Sequence, residues 1–194
     1  MLIYFITGNK NKFNEIKNIV SDNNIFIKQL DIDLPEIQDI DAHNVIKAKL
    51  IEALKHKKGS FIIEDTSLYL DCLNDLPGPL IKFFLNTIGN EGLFNLTKKL
   101  KNNKALAKTI IGYAKNKKEI KFFEGVIEGE IVSPRGDFGF GWDKIFKPKG
   151  FNKTFSQMEE KEKSKISMRK IAAKKLKKFL KNHQKNKIKK NKIK

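Results

Sequence analysis

Apolar residues recur along this chain with two different periods, and each period predicts a different element. Leu2–Ile6 is a continuous apolar run and reads as a buried strand. Lys12–Val20 follows with Phe13, Ile16, Ile19 and Val20 at helical spacing, Asn23-Asn24 breaks the pattern, and Ile25–Leu30 reads as a second strand. Strand, helix and strand in so short a span point to an α/β sheet. Ala42–His56 carries Val45, Ile46, Lys49, Leu50 and Ala53, a second amphipathic helix that Gly59 would end. Phe61-Ile62-Ile63 predicts a central strand ending in Glu64-Asp65, Pro77-Gly78-Pro79 a rigid turn, and Ile81–Ile88 and Gly92–Leu100 two further helices. Leu106–Ala114 and Ile120–Val132 predict two strands joined by the polar turn Lys115–Lys118, with Gly125 and Gly129 placed to mark bulges. Ser133–Phe155 reads as one long loop rich in glycine and aromatics, a length usually tied to function or disorder. Ile166–Leu180 is the last predicted helix, and from Lys181 onward the chain reads as an unstructured tail. No internal repeat is visible.

Composition adds bounds. A chain of 194 residues, 40% hydrophobic, suffices for one domain with a sizeable core. No run approaches the roughly 20 apolar residues of a membrane span. Met1–Phe5 lacks a basic leader and reads as a strand rather than a signal peptide. The single cysteine, Cys72, excludes an internal disulfide and a multi-cysteine zinc site, and the expectation is a cytoplasmic protein. His43, His56 and His183 are far apart in sequence, with no zinc-site or triad spacing. The formal charge of +18 is unevenly placed: residues 159–194 hold 16 Lys or Arg against three Glu. Such an excess reads as a solvated helix face and a simple Lys/Asn tail. A basic nucleic-acid-binding protein is the rival reading. It leaves Glu36, Glu64 and Asp65 unexplained, because acids repel a polyanion.

Five segments could carry chemistry. Thr7-Gly8-Asn9-Lys10-Asn11-Lys12 joins a strand to a helix, where free N–H groups and the positive end of a helix dipole receive phosphate. Gly8 lets a ligand approach the backbone, and Lys10 or Lys12 adds charge; the spacing is not that of the GxxxxGK[ST] loop. Glu64 and Asp65 are strand neighbours and should face opposite sides, so they should differ in role. Asp65 could hold magnesium or orient a water, and Glu36, after Leu34-Pro35, could add a second hard oxygen ligand. Phe138, Phe140 and Trp142 alternate with Gly139 and Gly141, so their rings could stack on a base. Arg169, donor only, would match a 6-oxo purine and reject a 6-amino group.

Taken together, these segments resemble the inosine triphosphate pyrophosphatase family, also called the Ham1-like family. The resemblance rests on ITGNKNKFNEI at 6–16, LPEIQ at 34–38, EDTSL at 64–68, LPGPLIKFFL at 76–85, SPRG at 133–136, FGWD at 140–143 and EKSKISMR at 162–169. Their shared order over about residues 2–180 makes the combination specific, and LPGPLIKFFL looks closer to the eukaryotic branch. The resemblance implies an elongated, two-lobed α/β fold, with a central mixed sheet flanked by helices and a nucleotide cleft between the lobes. It implies a magnesium-dependent homodimer, with manganese as a substitute ion, that cleaves ITP, dITP and XTP to the monophosphate and pyrophosphate. A related house-cleaning phosphatase with other noncanonical substrates is the nearer alternative. Carried onto this chain, Thr7, Gly8, Asn9 and Lys12 bind phosphates. Glu36 and Asp65 manage the metal, and Asp65 and Lys12 are catalytic. Lys47 and Lys82 lie near the triphosphate or sugar, Phe140, Trp142 and Asp143 enclose the nucleoside, and Lys163, Ser167 and Arg169 read the base. Two departures stand out: Met168 where the family usually has histidine, and Ser67 where glycine or cysteine is commoner. The tail, residues 181–194, has no family counterpart, and weak contact with nucleic acid is expected of it at most.

Overall fold

A computed structural model describes residues 1–191 of the chain. The first apolar run forms β1 (Leu2–Ile6), and Ile3 and Phe5 on it are fully buried. Asn9 then caps α1 (Lys10–Val20) by accepting the Lys12 N–H at 3.1 Å, and the helix buries Ile16 and Val20. After β2 (Phe26–Leu30), the Asp41 side chain caps α2 (Ala42–His56), accepting the His43 N–H at 2.9 Å. β3 (Ser60–Leu70), the two-residue β4 (Pro77–Gly78), α3 (Ile81–Thr87) and α4 (Gly89–Lys99) come next. The long hairpin β5 (Lys104–Asn116) and β6 (Glu119–Ile131) follows, then β7 (Phe146–Pro148), α5 (Glu160–Ile166) and α6 (Met168–Asn191).

The seven strands make one mixed sheet in the order β2-β1-β3-β5-β6-β7, with β4 paired to β3. β1 is parallel to β2 and β3, and every other pair is antiparallel. α1 and α6 cover one face, packing Leu176 and Leu180 with Ile3, Phe5, Ile62 and Tyr113. α2 covers the other, packing Ile46, Leu50 and Ala53 against Phe61, Ile63 and Ile110. A third cluster joins Leu68, Leu70 and Ile131 to Trp142, Phe146 and Phe155. The result is an α/β fold with a central mixed sheet flanked by helices.

β3 departs from the sequence expectation in a way that matters. It does not stop at Glu64-Asp65, because β5 backs it continuously from Phe61 opposite Ala114 to Leu70 opposite Ala105. On its other edge, β1 registers with Ser60, Phe61 and Ile62, and β4 with Leu68 and Tyr69. Residues 63–67 therefore have a strand on one side and an open edge on the other.

Three further expectations are corrected. Residues 133–155 are not one loop: a 3-10 turn at Gly141–Lys144 and β7 interrupt them. Gly125 and Gly129 do not mark bulges; the register shift in the hairpin lies between Ala114 and Asn116. Both glycines instead allow close approach. A Cβ on Gly125 would lie 1.9 Å from the Met168 carbonyl oxygen, and one on Gly129 2.5 Å from that of Lys147. The last helix does not end at Leu180 but continues to Asn191. Lysine is a competent helix former, and neither Gly nor Pro interrupts the segment. Lys181 adds an ion pair to Asp22 at 3.4 Å, and Gln184 donates to the Asn24 carbonyl at 3.0 Å. The remainder of the expected tail, residues 192–194, lies outside the described residues.

Gly125→Ala forces its methyl group into the backbone where α6 begins. The expected outcome is a Tm lower by about 5–10 °C, read by thermal denaturation. An unchanged Tm would mean that α6 can withdraw from β6 at no cost.

Candidate active site

The open edge of β3 borders a cleft of about 830 Å³. The turn Thr7-Gly8-Asn9 and Lys12 line it from the end of β1, Glu36 from the loop before α2, and Lys82 from α3. Phe140 to Asp143, Lys163 and Arg169 close the far side. A smaller cavity of about 280 Å³ adjoins it, sharing Phe140, Lys163 and Arg169 and adding Glu15, Phe138 and Ser167.

The two neighbouring acids of β3 face opposite ways. Glu64 points towards α1 and α6 with a side chain wholly out of water. Its Oε2 is 2.7 Å from Lys12 Nζ, and its Oε1 accepts from Arg169 Nε at 3.1 Å and from the Thr66 hydroxyl. Burial alone would push this carboxyl upward. Lys12 and Arg169 overcome that and hold it at about 2, so it is ionised. Arg169 also donates to Glu15 Oε2 at 2.7 Å, and Glu15 Oε1 accepts from the Ser167 hydroxyl at 3.0 Å. Glu64 Oε2 lacks a well-aligned hydrogen bond despite its short distance to Lys12, leaving a buried anionic atom with acceptor capacity to spare.

Asp65 sits on the other face, accepting from the Ser67 hydroxyl at 2.5 Å. Burial raises its carboxyl above the ordinary range. Ser67 and Lys12 pull it back, while the charges of Glu64 and Glu36 push it up. Glu36 is paired with Lys49 at 3.0 Å, and Lys163 with Asp143 at 2.5 Å.

A family model described as the Ham1 family matches residues 3–179. The chain is 42% identical over 179 residues to an inosine triphosphate pyrophosphatase of Schizosaccharomyces pombe, covering 92% of this chain and 94% of that protein. The chain belongs to the Ham1 family. A second inosine triphosphate pyrophosphatase, from Scheffersomyces stipitis, is 37% identical over 190 residues, covering 92% and 97% of the two chains. The solved structure of the Ham1 protein of Staphylococcus aureus superposes with a TM-score of 0.81 at 26% identity, covering 94% of this chain and all of that one. A HAM1 protein from Coxiella burnetii gives 0.83 at 22% identity over 94% and 99%, a likeness of fold.

Against the Ham1 expectations, most residues gather in the two cavities and a few do not. Lys47 is exposed on α2 and lines neither one; Lys49, two residues on, lines the cleft instead. Trp142 is only 6% exposed, its ring packed 5.5 Å from Phe146 and 6.3 Å from Phe155, so it supports the cleft wall rather than offering a free face. Phe138 and Phe140 are the exposed rings. Asp143 is buried, its Oδ2 accepting the Phe140 N–H at 2.9 Å. Gly139 permits this: at φ +78° a Cβ there would meet the same oxygen at 2.2 Å. Arg169 is not a free surface charge but a buried one, held by two carboxylates. Lys10 lines neither cavity, and Met168, where the family usually has histidine, presents an apolar wall to the cleft.

Sequence reasoning missed Glu15, Lys49, Asp31 and Asp33. Two of them left a signal. Glu15 lies three residues after Lys12 and so shares its helix face. Lys49 falls on the apolar stripe of α2, an odd place for a cation.

The depressed carboxyl of Glu64 links stability to acid. A carboxyl lowered from 4.5 to about 2 contributes stability that is complete above the higher value and lost as pH falls through the lower one. Relative to Glu64→Gln, the native chain should be more stable near neutral pH by a few kcal/mol, on the order expected for a buried ion pair. That advantage should shrink between about pH 5 and about pH 2. Thermal melts across this range check it; a constant gap would mean that the Glu64 charge is not what Lys12 and Arg169 stabilise.

Proposed function

We propose that this chain hydrolyses noncanonical purine nucleoside triphosphates, ITP, dITP and XTP, to the monophosphate and pyrophosphate. One observation carries the reading: motif residues scattered from Thr7 to Arg169 line a single cleft in a chain 42% identical to an inosine triphosphate pyrophosphatase.

The charges in that cleft favour a metal-assisted reaction. Six carboxylates line it, Asp31, Asp33, Glu36, Glu64, Asp65 and Asp143, against the cations Lys12, Lys49, Lys82, Lys163 and Arg169. Among the described residues all of these cations except Lys82 are ion-paired. A bare triphosphate gains little from such a wall. A triphosphate carrying a divalent cation gains much more, because the acids then face positive charge. No group of three Asp, Glu, His or Cys among the described residues could cage an ion unaided. Magnesium suits this arrangement, since it commonly binds one or two carboxylates together with phosphates and water. Glu36 and Asp65 are the residues that would hold it, with manganese as a substitute. The ion would supply neutralisation of the phosphate oxygens.

The remaining roles follow from position. The Thr7-Gly8-Asn9 turn and Lys12, at the N-terminus of α1, hold phosphate oxygens. Lys49 and Lys82 flank the chain of phosphates and offset charge developing on pyrophosphate. Asp65, its carboxyl raised by burial, is placed to take a proton from the water attacking the α-phosphorus. Phe138 and Phe140 receive the base. Three of the five guanidinium N–H donors of Arg169 are engaged by Glu64, Glu15 and Thr66. The two that remain suit a 6-oxo acceptor and leave a 6-amino donor unpaired. The reading carries a cytoplasmic homodimer with it; no helix among the described residues is long and apolar enough to cross a membrane.

The test is pyrophosphate release from a nucleotide panel with magnesium. ITP, dITP and XTP should exceed ATP by at least about tenfold in kcat/KM, as a site built around one hydrogen-bonding edge allows. Asp65→Asn should lower kcat by at least about tenfold while circular dichroism stays native. Release of inorganic phosphate alone would overturn the reaction, and near-normal turnover of the variant would remove Asp65 from it.

A further inference from the structure

The buried acid of β3 is the only described group that touches a cation on each side of the site. Lys12 reaches its Oε2 from α1 and lines the large cleft alone; Arg169 reaches its Oε1 from α6 and lines both cavities. No contact joins Lys12 directly to Arg169 among the described hydrogen bonds and ion pairs, so whatever moves one is felt by the other through Glu64. We infer that Glu64 is a positioning residue that sets the phosphate-gripping lysine and the base-reading arginine together, so that phosphate affinity and base selectivity depend on one carboxylate. This inference rests on the pyrophosphohydrolase reading above.

The geometry supports it in three ways. First, Glu64 cannot turn away, since its oxygens meet Lys12, Arg169 and the Thr66 hydroxyl, and Thr66 is itself within 2.8 Å of the Thr109 hydroxyl on the neighbouring strand. Second, its strand is backed by β5 throughout, so the carboxylate is anchored to a rigid element. Third, other residues of the two cavities serve one side each. Glu15 touches Arg169 and Ser167 but not Lys12, whereas Lys82 lines only the phosphate side. Ligand-free contacts of this kind couple two sites whenever one charged group is shared between them.

The test uses the full chain and four variants. Glu64→Asp keeps the charge but withdraws it by one methylene, too short to hold both cations. Glu64→Gln keeps the shape and drops the charge. Glu15→Gln and Lys82→Met perturb one side each. Calorimetric titration with pyrophosphate reads the phosphate side, and the ratio of IMP to AMP dissociation constants reads the base side; neither needs turnover. Thermal melts confirm folding. Glu64→Asp should weaken pyrophosphate binding at least about threefold and reduce the IMP preference at least about threefold, with Glu64→Gln moving both in the same direction. Glu15→Gln should move only the IMP preference and Lys82→Met only pyrophosphate. Folded Glu64 variants that shift a single readout, or neither, overturn the coupling. A wild-type chain that binds these ligands yet releases no pyrophosphate from any triphosphate overturns the reaction instead and leaves the coupling to be judged by the same titrations.

Discussion

A fully buried carboxylate must be surrounded by positive charge or take up a proton, and this fold is arranged so that Glu64 keeps its charge. Two of its partners come from parts of the chain distant in sequence: Lys12 on the first helix and Arg169 on the last. The ion pairs thus tie the N-terminal and C-terminal helices to the middle of the central strand, and α1 and α6 pack together over the same sheet face. Breaking such a group by removing one partner leaves an uncompensated charge in a dry place, a far larger penalty than losing an exposed pair. By that standard the exposed pairs, such as Lys149 with Glu128, contribute little to holding the fold.

The same strand explains why there is a cleft at all. A strand flanked on both edges would present Glu64, Asp65 and Thr66 to closed neighbours. β1 pairs with this strand only as far as Ile62 and β4 only from Leu68, so the edge is open between them. The chain that leaves β1 turns at Thr7-Gly8-Asn9 into that gap, and Gly8 lets it lie close to Asp31: a Cβ there would come within 3.2 Å of the Asp31 carboxylate. The Thr7-Gly8-Asn9 turn and the acids therefore meet because two strands stop short.

Much of this was legible in the residues. β1, α2 and the β5–β6 hairpin lie where apolar periodicity puts them, because one-face and two-face burial leave distinct patterns. The extension of β3 through Glu64 and Asp65 was not legible, because two acids in a row imitate a strand end. Only the pairing with β5, a long-range fact, shows that the ladder continues. Lys47 was carried over from the resemblance without regard to helix phase; two residues of offset turn a side chain by about 200°, and the cleft is lined by Lys49. Trp142 was read as a ring that could stack on a base because its setting is glycine-rich, yet Phe146 and Phe155 give it a core to enter. The basic C-terminal segment looked structureless because Lys and Asn repeat there. Part of its charge has a structural partner, as Lys181 pairs with Asp22 at 3.4 Å just beyond the end of α1.

The pairing of cations also decides how the cleft can discriminate. A guanidinium with free rotation would adapt to either a 6-oxo or a 6-amino purine by swinging aside. Arg169 is held in place, because leaving it strands Glu64 in a region without water and gives up the pair with Glu15. In the reading proposed above, an incoming amino group would face fixed donors, while an oxo group would complete them. On the proposed reading, the rigidity that makes Arg169 costly to move is what would let it select, and it derives from Glu64, which contacts Lys12 as well. Met168, apolar and buried beside it, offers that guanidinium no strong competing donor or acceptor from its side chain.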